Sequence, residues 1–585
     1  MRNSRNYAVF ALLSIALFIA SCSSGYKPKT KSEVKVHQLS DPEMLNPMNS
    51  SDAGASEIQW QLFQSLIRIN YKTLEYDALV AEARPDIEKT ENGGMKLTFK
   101  IRQDAVWDNG TPITAKDLEF TMKVLKHPKV NNTHTKPYFE FVKDIQLYTE
   151  DPKKITFVCD TVYFLAESVI GSADILPEYN YDPKGLLKEY TLPQIIAGGE
   201  KLAEEPKMKE FAEAFNSEKY MREKEVIVGS GPYKLTEWTT GQRVVLEKKK
   251  DWWGDKYADK IASFEAFADK LIYVTINDQT SSIVALKAGN IDVMKGIKPK
   301  DFVELPASEK YKENFNSYQP SSLQYTYIGL NAQSPKLKDK KVRQALAHLA
   351  DVEKYIKTVY YGLAQPVIGP VHPSKTRDYN SEIKPYQFNT EKAKQLLEEA
   401  GWKDTNGDGT IDKVINGEKT EFAIDFSTNS GNDMRKQIAL MFQEEARKVG
   451  IKVNVGQQDW SVYLDNQKKH NFEIYFGAWI SSPSPNDFKQ IFHSESALNE
   501  GSNYVSFNNA KADQLIDAIR VELDENKRAE LNKEFQAILH EEVPYIFLFA
   551  PTERIAIHKK FTNAEASVMR PGYFPASFKL TAPAN

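Results

Sequence analysis

Apolar positions along the chain recur with two periods, about two and about three to four, and the two kinds of segment follow one another often enough to predict a mixed α/β protein. Val34 opens a strand, turns follow at Asp41-Pro42 and Asn46-Pro47, and Ile58, Leu62, Phe63, Leu66 and Ile69 then recur at helical spacing. Leu97-Thr98-Phe99-Lys100-Ile101 alternates as a strand, and Thr114 is placed to cap a helix with Asp117 in its first turn. Farther on, Asp339 can cap a helix whose apolar face is Val342, Leu346 and Leu349. Ala393, Leu396, Leu397 and Ala400 mark a second, ended by Gly401; Ile438, Phe442 and Val449 mark a third, ended by Gly450. Ile451, Val453 and Val455 alternate directly afterwards, and helix, glycine and strand in succession predict parallel pairing. A last helix near 527–541 leads into an apolar strand, Tyr545 to Phe549.

One stretch stands apart. Phe472-Glu473-Ile474-Tyr475-Phe476-Gly477-Ala478-Trp479 reads as an aromatic strand, and Ile480-Ser481-Ser482-Pro483-Ser484-Pro485-Asn486-Asp487-Phe488 as a polar loop broken by proline. A tryptophan is thus delivered to a strand end beside hydrogen-bonding groups, which suits a ligand, although a core strand running into a surface turn explains the same pattern.

With 585 residues the chain exceeds a single core and predicts roughly two to four domains. A hydrophobic fraction of 41%, 11% aromatics and a mean hydropathy of -0.51 fit a soluble globular protein. Residues 1–21 stand outside that fold: Arg2 and Arg5 precede an apolar run from Tyr7 to Ala20, and Ile19-Ala20-Ser21-Cys22 resembles a lipoprotein cleavage site, which implies an acylated N-terminal Cys22. Loss of Arg2 and Arg5 takes the formal charge from -4 to -6. That balance, with no basic patch interleaved with aromatics, argues against nucleic acid. Residues 22–33, with Lys27, Pro28, Lys29 and Lys31, read as a tether, so the lipid is the expected membrane contact. Cys159 is the only other cysteine and reads as a small buried hydrophobe.

Enzyme motifs are missing: there is no His-Glu-x-x-His, paired cysteine, phosphate loop or nucleophile elbow. His127 and His134 are seven apart in a Pro- and Asn-rich segment that reads as a surface loop. Asp404, Asn406 and Asp408 occupy the first, third and fifth positions of a calcium-loop pattern with Gly409 at the sixth, and Asp412 follows, but Ile415 stands where a bidentate Glu belongs. These four residues are a weak metal candidate and a structural turn is favoured; no cofactor is expected.

Trp107-Asp108-Asn109-Gly110-Thr111-Pro112-Ile113-Thr114-Ala115-Lys116-Asp117-Leu118-Glu119-Phe120-Thr121 resembles the signature segment of the family 5 extracytoplasmic solute-binding proteins, the peptide- and nickel-binding components of ABC importers. Val228-Gly229-Ser230-Gly231-Pro232-Tyr233-Lys234-Leu235, Ala285-Leu286-Lys287-Ala288-Gly289-Asn290-Ile291-Asp292, and Ile328-Gly329-Leu330-Asn331 followed by Asp339 to Leu346 resemble later blocks in the family's order. The resemblance implies a periplasmic binding protein-like α/β fold of the class II, cluster C type: two hinged lobes and an inserted domain. Its implied boundaries are lobe I at 34–70, 191–297 and 541–585, domain II at 71–190, and lobe III at 298–540, with hinge strands near residues 297 and 540.

It also implies a function. A monomeric, lipid-anchored subunit on the extracytoplasmic side would capture oligopeptides or dipeptides in the cleft and deliver them to a membrane permease. In the peptide-binding branch, segments matching Gly477, Ala478, Trp479 and Ile480 and about Ala53, Gly54, Ala55 and Ser56 pair as strands with the peptide backbone. A carboxylate just after the tryptophan holds the peptide's ammonium group. Here that position falls on Ser482 or Ser484, and Asp487 is the nearest carboxylate. The deficit keeps open a non-peptide solute such as a sugar, opine or metal chelate, and a lipid-anchored chaperone or adhesion protein on the same fold.

Overall fold

The computed structural model describes residues 32–50, 52–132, 135–498 and 501–581; the signal-like segment, Cys22, the tether up to residue 31, and His134 lie outside them. A seven-stranded sheet carries lobe I, in the order Phe315–Tyr318, Ile555–His558, Val293–Met294, β1 (Glu33–Gln38), Lys270–Thr275, Arg243–Lys248 and Tyr233–Thr239. β1 runs parallel to both neighbours, and Val34 and Val36 are fully buried. Helix α1 (Ala53–Leu62) follows, its start fixed by the Asp52 carboxylate, which accepts the N–H groups of Gly54 at 2.9 Å and Ala55 at 3.2 Å. The helical spacing toward Ile69 is not followed: Phe63 is already extended and Ile67–Ile69 is a strand. Phe63, Leu66 and Ile67 remain buried in the same core, so apolar recurrence outlasts the helix.

Domain II is a four-stranded antiparallel sheet, Asp86–Lys89, Met95–Lys100, Lys154–Cys159 and Val142–Leu147, covered by α2 (Ala115–Lys126). The Asp117 carboxylate receives both the N–H and the hydroxyl of Thr114, at 2.8 and 3.2 Å, which sets where α2 begins. The helices spanning 192–222, expected in lobe I, pack on domain II instead: Phe211 meets Phe120 edge-on at 6.1 Å. His127, expected in a surface loop, is fully buried; Nε2 lies 3.2 Å from the Met208 carbonyl and Nδ1 accepts the Lys129 N–H. Burial pushes that imidazole down to about 4. Cys159 is buried in its strand, and desolvation pushes its thiol up to about 12.

Lobe III is built on β2 (Gln324–Leu330), β3 (Ala423–Asn429) and β4 (Ile474–Ile480), with the sheet order Lys452–Gln458, β3, β4, β2, Tyr545–Phe547. β3, helix Asp433–Lys448 and the parallel strand Lys452–Gln458 form the helix, glycine and strand unit expected from the sequence, with Gly450 turning at φ +80°. β2 and β4 pair antiparallel so that Tyr327 opposes Gly477 and Tyr475 opposes Gly329. Each ring covers the opposing glycine, and the two hydroxyls meet at 2.9 Å. A Cβ on Gly477 would sit 2.1 Å from the Tyr327 ring. Gly477→Ala is therefore expected to lower unfolding stability by about 2 to 3 kcal/mol through overpacking; a chemical denaturation midpoint equal to that of the parent would contradict this packing.

The lobe boundaries differ from those expected. Phe315–Tyr318 is in the lobe I sheet and Tyr545–Phe547 in the lobe III sheet, so the chain crosses between lobes at 319–323 and 552–554 rather than near 297 and 540. The two crossings bond to each other: Ser322 N–H donates to Pro551 O at 3.1 Å and Glu553 N–H to Pro320 O at 2.8 Å. The apolar run after residue 544 is two short strands, Tyr545–Phe547 pairing with β2 and Phe549–Pro551 with Ala364–Pro366.

Candidate functional site

β4 is the strand that the aromatic run predicts, with Trp479 next to its end. Ser481 N–H donates to Leu323 O at 2.7 Å and Asn331 N–H to Glu473 O at 3.0 Å, so the odd-numbered residues of β4 turn their backbone groups toward β2. The even-numbered residues face the opposite way. There β3 is in register only at Ile474 and Tyr475, and the Phe476 carbonyl accepts the Tyr463 hydroxyl at 2.5 Å. Beyond it, the N–H and C=O of Ala478 and Ile480 meet no backbone partner among the described residues. Helix α3 (Trp460–Lys468) flanks this edge. It presents Trp460, 54% exposed, and Ile480 is 56% exposed. Trp479 is half-buried and stacks on Tyr504 with centroids 6.3 Å apart. An unpaired strand edge bordered by aromatic surface can add an extended chain by main-chain hydrogen bonding.

The residues expected to line the opposite side do not form a strand. Ala53, Gly54, Ala55 and Ser56 are the first turn of α1, with the N–H groups of Gly54 and Ala55 already bound to Asp52 and that of Ser56 to the Asp52 carbonyl. They cannot pair with a ligand as a ladder. The Asp52 signal was present in the sequence, an acidic N-cap before small residues.

The loop after β4 is committed to interlobe contacts. Ser482 is exposed and its hydroxyl accepts the Ser484 N–H at 3.1 Å. Ser484 Oγ lies 3.0 Å from both the Tyr76 hydroxyl and Ser168 Oγ, tying lobe III to the domain II side. Asp487 does not turn into the cleft as a free carboxylate: Oδ2 accepts the Tyr163 hydroxyl and Arg520 Nε, each at 3.0 Å, and Oδ1 accepts the Lys489 N–H. Alongside, Phe164 N–H donates to Arg520 O at 2.9 Å. Lys375, which sequence reasoning missed, donates to Ser484 O and Asn486 Oδ1, both at 2.6 Å. Desolvation pushes its ammonium down to about 7.

The Asp-rich loop is self-contained. Asp404 accepts the N–H groups of Gly407 and Gly409, Asn406 donates to Asp408, and Asp412 accepts from Thr405 and pairs with Lys419 at 3.2 Å. These bonds make the segment a structural turn, and among the described residues no cluster of three or more His, Cys, Asp or Glu is placed to hold a metal ion.

The fold agrees with the comparisons. The model of the bacterial extracellular solute-binding proteins, family 5 (middle region), matches residues 75–500. The chain is a family 5 solute-binding protein. Family 5 proteins bind and hand over substrates for transport and are not enzymes. The chain is 29% identical over 567 residues to the oligopeptide-binding protein AppA of Bacillus subtilis, covering 93% of each chain. It is 25% identical over 533 residues to the dipeptide-binding protein of Escherichia coli, covering 87% of each. The solved structure of Bacillus subtilis AppA in complex with a nonapeptide superposes with a TM-score of 0.67 at 26% identity, over 94% of this chain and 99% of that one. Family 5 structures of this kind have the two lobes and extra domain described above. The family works outside the cytoplasm, and no described helix is long and apolar enough to cross a membrane.

Proposed function

We propose that this family 5 protein captures peptides as an added strand on the Ala478 and Ile480 edge of β4 and presents them, once closed, to the permease of an ABC importer. The observation that carries the reading is the unpaired backbone of those two residues beside Trp479 and Trp460. Its similarity to the oligopeptide-binding AppA and to a dipeptide-binding protein supports the same class of ligand. Main-chain pairing tolerates many sequences, and closure follows because the closed state alone offers contacts from both lobes. The lipoprotein-like Ile19-Ala20-Ser21-Cys22 supports a lipid anchor at Cys22 on the extracytoplasmic face.

One feature favours a second reading. The loop 481–487 offers no free carboxylate to an ammonium group, since Asp487 is bound by Arg520 and Tyr163 and Lys375 sits beside Ser484. A solute without a free α-ammonium, blocked peptides included, suits it better than a dipeptide zwitterion. Thermal-shift titration against unblocked peptides, N-acetylated peptides and a sugar panel separates the readings. A ligand at a hundredfold excess over its Kd adds about 2.7 kcal/mol to the folded state. Peptides are expected to raise the melting temperature in the parent and to do so less in Trp479→Ala; a rise with sugars alone would refute peptide capture.

A further inference from the structure

Behind the loop 481–487 lies a cavity of about 420 Å³ between the domain II side and lobe III. Tyr76, Arg84 and Glu167 form one wall, and Lys375, Arg377 and Arg528 are on the other. Pro483, Ser484 and Pro485, which continue β4, make its rim.

Four carboxylates, Glu75, Glu167, Asp378 and Glu525, and four cations, Arg84, Lys375, Arg377 and Arg528, line it, but they are not all paired with one another. Arg84 spans Glu167 with two bonds of 2.6 Å, and Arg377 pairs with Glu525, so those four groups are neutralised in pairs. Asp378 accepts a hydrogen bond from the neutral amide of Asn532 at 3.1 Å. Lys375 donates only to a carbonyl and an amide oxygen. Arg528 is 4% exposed, gives one Nη1 bond to the Glu522 carbonyl at 2.9 Å, and its Nε has no partner among the described residues. Neither cation lies within ion-pair distance of a described carboxylate. A buried guanidinium N–H without an acceptor is costly, and a ligand carboxylate is the group that relieves it most.

We propose that this cavity is a subsite for an acidic side chain of the bound peptide, recognised by Arg528 Nε with Lys375 beside it. The inference rests on the strand-docking reading above. A peptide on the β4 edge sends alternate side chains to either side of the strand, and the loop that follows β4 reaches the cavity's rim at Pro483. Desolvation presses Lys375 toward its neutral form, against the pull of nearby Asp378, and a ligand anion beside it would further favour the charged form.

The test uses N-acetylated alanine pentapeptides with one Glu, one Gln or one Lys placed at each position in turn, with calorimetric Kd values for the full chain. At one position Glu is expected to bind about tenfold or more tightly than Gln, with Lys weakest, as a charge-assisted bond to a buried cation requires. R528K removes Nε while keeping a charge that can reach the Glu522 carbonyl, and the Glu-to-Gln ratio should fall toward one. K375M reads the same ratio where R528K fails to fold. Peptide binding with no Glu preference at any position, or a preference that survives both substitutions, overturns the subsite. Failure of every peptide to bind the parent removes the strand-docking reading and the subsite with it.

Discussion

In Ala478→Pro, peptide affinity is expected to fall between about tenfold and a hundredfold while the fold stands. Ala478 turns its N–H away from β2, since the neighbouring odd-numbered residues make the β2 ladder. Proline there removes no bond of the sheet, and proline is tolerated on strand edges whose N–H faces outward. It does remove the donor that an incoming peptide carbonyl needs. Leaving that carbonyl unsatisfied in the closed cleft costs about 1 to 3 kcal/mol, the source of the expected range. Calorimetry on the parent and the variant, with circular dichroism melts beside it, decides the matter. Unchanged affinity in a folded variant would place the peptide elsewhere. Trp479 tests the aromatic border of the site, whereas Ala478 tests the backbone itself.

Acid is expected to destabilise the protein steeply between about pH 6.5 and pH 4. His127 and His372 are both buried, and both are held down to about 4 in the folded chain. The unfolded chain takes up these protons near the ordinary histidine pKa of about 6.5, so below that pH it binds more protons than the folded state and stability declines. The stabilising contribution is complete above about 6.5 and is lost progressively as pH falls toward 4, up to about 3 kcal/mol for each group. His127 makes the cost concrete, because protonating Nδ1 destroys the acceptor used by Lys129 N–H. His127→Gln should flatten part of the acid slope; a slope identical to the parent's in melts from pH 7 to 4.5 would show that His127 does not titrate as its burial demands.

What could be read from the sequence, and what could not, divides by distance along the chain. β4 and Trp479 were legible because an aromatic run and the proline-broken loop are local signals. The parallel unit around helix Asp433–Lys448 was legible for the same reason: helix, Gly450 and alternating strand are contiguous. The register that leaves Ala478 and Ile480 open was hidden, because it depends on where β3 stops pairing, some fifty residues earlier in the chain. Lys375 and Arg528 were invisible as site residues, lying 111 positions from Asn486 in one case and in a helix near the end of lobe III in the other. Ala53–Ser56 is helix and not strand because the Asp52 carboxylate caps its first turn, a local interaction that decides the conformation. The lobe boundaries slipped for a topological reason: Phe315–Tyr318 belongs to lobe I only through its pairing with Ile555–His558, more than 230 residues away.

The paired crossings constrain how this molecule moves. Because Ser322 is bonded to Pro551 and Glu553 to Pro320, the two connections cannot slide past one another or separate independently. The lobes are left with essentially one freedom, a swing about a common pivot. Domain II touches lobe III at Ser484, Asp487 and Arg520, contacts that lie outside the two crossings. Those hydroxyl contacts therefore have to part in the same motion that swings the lobes away from each other.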